Sequence, residues 1–203
     1  MRIEIVVFDG FDPLDVIAPW EVFVRAAALN PGLEVALVRA DGAGPVTTAY
    51  GLRMQIDETL GTPDAVLVPG GSWVDATDTG VRREIRCGAL PGAIAELAPS
   101  VRWVASVCTG ALILGEAGLL RGRNATTNDA ALEELSRYGA TVRRHRVVDD
   151  GTVVTAGGVT SGIDLALWLV HRELGAEIAG SVRAAIAYPV QPDVWRTPEI
   201  LTR

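Results

Sequence analysis

The sequence predicts an α/β fold of the flavodoxin type, a sandwich with a mainly parallel sheet and helices on both faces. Short apolar runs alternate with longer stretches of helical period, the pattern of βαβ units. The chain is 49% hydrophobic and rich in Val, Ala, Leu and Gly, as strands buried on both faces require. Its 203 residues show no internal repeat, low-complexity linker or composition break, so 1–203 reads as a single domain.

Residues 3–8 (IEIVVF) form a buried strand closed by Asp9-Gly10. A helix over 13–29 follows, apolar at Val16, Ile17, Trp20, Val22, Phe23 and Val24, and stops at Asn30-Pro31-Gly32. Residues 33–39 (LEVALVR) are a second strand, and 45–56 form a hairpin around Tyr50-Gly51. The third strand, 65–68, ends at Pro69-Gly70-Gly71. A helix over 81–98 is broken or kinked by Gly88, Pro91 and Gly92. The fourth strand, 101–107 (VRWVASV), runs into Cys108, and a helix over 109–117 begins directly after it. Residues 128–138 are amphipathic, and short strands at 147–148 and 153–155 flank Asp149-Asp150-Gly151. Gly157-Gly158 leads into helices over 160–174 and 176–187. The Pro-rich tail from about 189, with Trp195, packs on the domain or on a partner subunit.

A formal net charge of −7 argues against nucleic acid, because phosphate binding needs clustered Lys and Arg. The one dense basic stretch, Arg143, Arg144, His145 and Arg146, reads as a solvated edge or turn. No apolar run reaches the roughly 18 residues of a membrane span, and residues 3–8 are too short for the core of a secretory signal. Two cysteines, Cys87 and Cys108, build no disulfide framework, so a reducing, cytoplasmic home is expected. The two histidines sit in no ligand-spaced cluster, so no metal and no cofactor are assigned.

Open α/β sheets bind ligands beyond the carboxyl ends of their strands. There the sequence places Leu14-Asp15-Val16, Pro69-Gly70-Gly71 and Ser106-Val107-Cys108-Thr109-Gly110. A cysteine between strand and helix is exposed by a sharp turn, and the amides of the following helix favour its thiolate. Ser106 and Gly110 are small enough to let the turn tighten. The competing assignment is an inert core thiol, which is the one given to Cys87. Gly70 and Gly71 could offer amides to an oxyanion, or simply form a turn. Asp15 among apolar neighbours reads as an acid of raised pKa that exchanges protons with thiol or substrate, or else as a helix N-cap near Pro13. Trp20 and Trp73 either narrow the pocket or pack in a core or interface.

These residues together resemble the DJ-1/PfpI superfamily, with its class I glutamine amidotransferase-like fold. The resemblance covers nearly the whole chain. It runs through FDPLDVIAPWEVF, VLVPGG, the block SVCTGALILGEAGLLRGRNATTN and TAGGVTSGIDLALWLV. The pattern is most similar to isocyanide (isonitrile) hydratases and to the ligand-sensing domain of AraC-type regulators. Carried over, it makes Cys108 the nucleophile, Asp15 the acid beside it, and Gly71 and Thr109 the sources of backbone amides, with the Thr109 hydroxyl bonding the reacting group. It implies a hydro-lyase: the thiolate attacks an uncharged isocyanide in an apolar pocket, and water resolves the thioimidate to an N-substituted formamide. It also implies a homodimer with a small-molecule substrate. Many superfamily members carry a histidine in a T-T-H pattern where this chain has Asn128, which removes the base of a Cys–His pair and argues against protease or amidase chemistry. His145 is taken as a surface residue. Two other functions stand beside hydration: a sensor without turnover, and a redox or stress protein with an oxidisable Cys108.

Overall fold

The computed structural model describes residues 1–73, 78–189 and 193–198. The chain opens with β1 (Arg2–Val6) and α1 (Pro13–Leu29). Asp12 caps α1, its carboxylate accepting the Leu14 N–H at 2.9 Å, and Pro13 takes the first helical position, where a missing N–H costs nothing. β2 (Glu34–Arg39) follows, then the hairpin β3 (Gly44–Thr47) and β4 (Arg53–Ile56) around Tyr50-Gly51, and then β5 (Glu58–Thr59) and β6 (Ala65–Val68).

The helical stretch 81–98 is divided into α2 (Val81–Cys87) and α3 (Ala89–Leu97) by Gly88, whose φ of 75° only glycine adopts readily. Pro91 and Gly92 do not break it, since Pro91 lies in the first turn of α3, where no carbonyl waits for its N–H. β7 (Trp103–Val107) leads through Cys108 into α4 (Gly110–Glu116). After β8 (Asn124–Ala125), the amphipathic stretch 128–138 splits into one 3-10 turn, Asp129–Ala131, and α5 (Leu132–Arg137). β9 (Thr141–Val142), β10 (Val147–Asp150) and β11 (Val153–Ala156) precede α6 (Ser161–Leu174) and α7 (Ala176–Ala185), and β12 (Val194–Arg196) comes last.

The main sheet has the order β12-β10-β11-β7-β6-β1-β2-β5. From β11 to β5 all neighbours are parallel; β10 is antiparallel to β11, and β12 lies parallel to β10. The tail therefore contributes an edge strand, held further by the Thr197 N–H on the Asp149 carbonyl at 3.1 Å. Its remainder, 190–192 and 199–203, lies outside the described residues. Helices α1, α6 and α7 pack together on one side, and α2, α3 and α4 on the other. Strand order reverses between β1 and β6, because β2 lies beyond β1 and β7 beyond β6. That reversal opens the crevice where such sheets bind ligands.

The basic stretch is not a plain solvated edge. Arg146 Nε donates to Oδ2 of the fully buried Asp164 at 2.7 Å, and the Tyr188 hydroxyl donates to the same oxygen at 3.1 Å. Arg143 lies over the Trp195 ring, 4.9 Å from its centroid. Desolvating Asp164 without these donors would be costly, so the pairing fixes the start of α6 against β10.

β6 and β7 are buried along their whole length. Trp103, the largest buried side chain, stacks on Phe23 of α1 with centroids 6.4 Å apart. Its indole N–H has no hydrogen-bond partner among the described residues. Trp103→Ala should cost about 3–5 kcal/mol of stability in urea unfolding, the range for a truncated core aromatic. Trp103→Phe should cost much less, because it also removes the unpaired donor.

Candidate active site

Cys108 has left-handed backbone geometry, with φ of 55°, which costs a side-chain-bearing residue of the order of 1–3 kcal/mol unless its surroundings enforce it. They do. The Cys108 N–H donates to the carbonyls of Ala156 at 3.1 Å and Gly157 at 3.0 Å, and its own carbonyl accepts the Thr127 hydroxyl at 2.7 Å. Gly110 completes the turn, since a Cβ there would collide with the backbone carbonyls of Val68 and Pro69. The side chain is thereby held over the ends of β6 and β7, 7% exposed, at the floor of a cavity of about 730 Å³. The backbone amides of Thr109 and Val159 and the side-chain amide of Asn128 line the same cavity as the sulfur and favour its thiolate.

Asp15, in the first turn of α1, is wholly buried. Its Oδ2 accepts the Gly70 N–H at 3.0 Å. Its Oδ1 closes no regular hydrogen bond among the described residues, and the Cys108 thiol is the group coupled to the carboxyl. Burial, then the charge of Asp12, lifts the Asp15 carboxyl well above the usual carboxylate range, while the Gly70 amide and the thiol pull the other way. Asp12, not Asp15, is the helix cap.

Several expectations from sequence need correction. The helix amides do not act on the thiol alone: burial first, and the Asp15 charge second, push it up to about 12. The amides of Gly70 and Gly71 are not open to an oxyanion, because Gly70 donates to Asp15 and Gly71 donates to Thr109 Oγ1 at 3.1 Å. Trp20 does not line the cavity; it is half-buried against the core from α1. Nor is the cavity apolar, for Asp9, Asp12, Thr48, Tyr50 and Arg83 stand around its mouth. Trp73, Thr109 and Asn128 do line it, with Arg82 stacked on the Trp73 ring at 4.0 Å. His145 sits away from it, paired with Asp193 at 3.1 Å, and Cys87 is exposed.

Sequence reasoning missed Val159 and Thr127. Gly157-Gly158 signalled a tight approach of this loop, yet nothing in the sequence says which amide it delivers to the sulfur. Among the described residues no cluster of His, Cys, Asp and Glu could hold a metal, and no helix is long and apolar enough to cross a membrane.

Residues 1–172 match the profile of the DJ-1/PfpI family. The chain belongs to the DJ-1/PfpI family. It is 35% identical over 195 residues to the isonitrile hydratase of Pseudomonas putida, covering 95% of this chain and 80% of that protein. A Danio rerio Parkinson disease protein 7 homolog is 24% identical over 196 residues, covering 91% of this chain and 96% of that one. Among solved structures, a ThiJ/PfpI family protein from Pseudomonas syringae superposes with a TM-score of 0.83 at 29% identity, over 94% of this chain and 76% of that one. Schizosaccharomyces pombe DJ-1, at 18% identity, shares the fold with a TM-score of 0.78 over 93% of this chain and all (100%) of its own.

In this DJ-1/PfpI protein the folded Asp15 holds its proton more tightly than the unfolded chain does. Its contribution to stability is therefore fully present below the ordinary carboxyl value of 3.8 and is lost as pH rises through the folded value. Once the pH exceeds 3.8 the unfolded chain gains by ionising, and the buried carboxyl becomes a burden on the fold. Asp15→Asn should raise the melting temperature at neutral pH, by about 2–4 °C for each kcal/mol relieved, and the gain should vanish in acid. Thermal unfolding across pH checks this.

Proposed function

We propose that this protein is a cysteine-dependent hydratase for a small electrophile, converting an isocyanide to an N-substituted formamide. One observation carries the reading: the thiol at the cavity floor is backed by the wholly buried carboxyl of Asp15, and the two compete for protons. Moving the thiol proton to Asp15 creates the thiolate as the carboxyl becomes neutral, so the floor never holds two adjacent anions.

The residues suit an isocyanide better than an ester or amide. Attack at the isocyanide carbon forms the S–C bond and leaves negative charge on that same carbon, which must be protonated. Asp15, now carrying the thiol proton, is the acid that can deliver it, giving a thioimidate. Acyl transfer instead builds charge on oxygen and needs free amides to receive it. Here the amides of Gly70 and Gly71 are already engaged. Water then adds to the thioimidate carbon, the nitrogen takes a proton, and the C–S bond breaks as the carbonyl forms and the thiol recovers its proton. The sum is isocyanide plus water to formamide. The 35% identity to an isonitrile hydratase supports the same reading. The elevated thiol counts against ready oxidation, since it is the thiolate that attacks peroxide.

The test is hydration of an aryl isocyanide, followed by the ultraviolet absorbance of the formamide. Cys108→Ala should abolish turnover, and Asp15→Asn should lower it by at least about a hundredfold, the scale of general acid–base assistance. Full turnover by either variant would remove the proposal. Turnover should also fade on acidification while an ordinary carboxylate is still ionised, because protonated Asp15 cannot accept the thiol proton.

A further inference from the structure

The mechanism above uses Cys108 and Asp15 and leaves Asn128 unassigned. Its amide is not free to turn. Oδ1 accepts the Ala130 N–H at 3.0 Å as cap of the 3-10 turn, which fixes Nδ2 on the opposite side, toward the Gly157-Gly158-Val159 loop and Cys108. The loop makes room for it: a Cβ on Gly158 would stand 2.8 Å from Nδ2. Thr127, the preceding residue, is itself bound to the Cys108 carbonyl at 2.7 Å, so residues 127 and 128 grip the same turn from one side.

We propose that Asn128 is the side-chain hydrogen-bond donor to the Cys108 sulfur, a catalytic residue that stabilises the developing thiolate without being able to take its proton. An amide donates N–H but is not basic, so it lowers the cost of ionisation while leaving Asp15 as the proton's destination. An imidazole here could accept the proton and hold a permanent thiolate–imidazolium pair. With Asn128 the proton has Asp15 as its destination. The other ionisable groups facing the sulfur are Asp15 from α1 and Tyr50 from the β3–β4 turn, with Asp9, Asp12 and Arg83 further out around the mouth. None of these is a side-chain amide with its orientation fixed on the cysteine.

The inference rests on Cys108 as nucleophile, but its test needs no isocyanide. Alkylation of Cys108 by iodoacetamide would be followed by peptide mass spectrometry, which separates it from exposed Cys87, from neutral to strongly alkaline pH. Asn128→Ser is the decisive variant, because its hydroxyl can still cap Ala130 while bringing neither an amide nor a charge to the sulfur; a carboxylate there would slow ionisation by repulsion alone. It should slow alkylation at neutral pH by roughly ten- to a hundredfold and move the profile to higher pH, as loss of a hydrogen bond to a charged group would. Asn128→Ala should slow it as well, and Asn128→His should speed it at neutral pH by supplying a base. If Asn128→Ser reacts within about twofold of the unsubstituted protein with its circular dichroism unchanged, the side chain is only a cap and the proposal is overturned. Slow alkylation of Asn128→Ser alongside no isocyanide hydration by the unsubstituted protein would remove the substrate reading and leave this one standing. Cys108-dependent hydration with an unchanged alkylation profile would do the reverse.

Discussion

The left-handed backbone of Cys108 is the constraint on which the site depends. A residue with a side chain does not stay in that conformation unless several independent bonds hold it. Here two β11-side carbonyls bind its N–H, a threonine hydroxyl binds its carbonyl, and α4 starts close against the end of β6 because Gly110 has no side chain. Those partners come from parts of the chain far apart in sequence, so the nucleophile is aimed by the whole sheet. The strain is local and the restoring force is distributed.

The second constraint is electrostatic. The charge of the Asp15 carboxylate disfavours a thiolate beside it, and burial carries both groups away from their usual acidity. This arrangement is poor for the stability of the fold and useful for chemistry, because a proton can pass between the two groups without creating a net buried charge. The apolar strands β6 and β7 and the helices over them supply the stabilisation that offsets it.

Much of the fold was legible because strands covered on both faces must be continuous apolar runs. Ile3 to Phe8, Ala65 to Val68 and Val101 to Val107 could be read in this way with little ambiguity. Cys108 and Asp15 were legible as chemical exceptions: one polar group at a strand–helix joint, the other an acid in an apolar stretch. What stayed hidden was set by distant partners. The Gly70 N–H goes to a carboxylate 55 positions away and the Gly71 N–H to a hydroxyl 38 positions away, and no local pattern encodes either. Trp20 is ambiguous in the sequence for a similar reason, since helical period shows that α1 has an apolar side without saying which of its residues reaches the crevice. The strand β12 was invisible because three residues in a Pro-rich tail carry too little pattern.

The two ends of the main sheet have a consequence of their own. One edge is β5, with 2 residues, and the other is β12, with 3. An edge strand is where a sheet is open to capture by another chain, through its row of unpaired amides and carbonyls. Strands this short present little template of their own, but β5 pairs with β2 only at Val38 and Arg39. The outer side of β2 over Glu34–Leu37 is therefore the stretch of the main sheet where another extended chain could add.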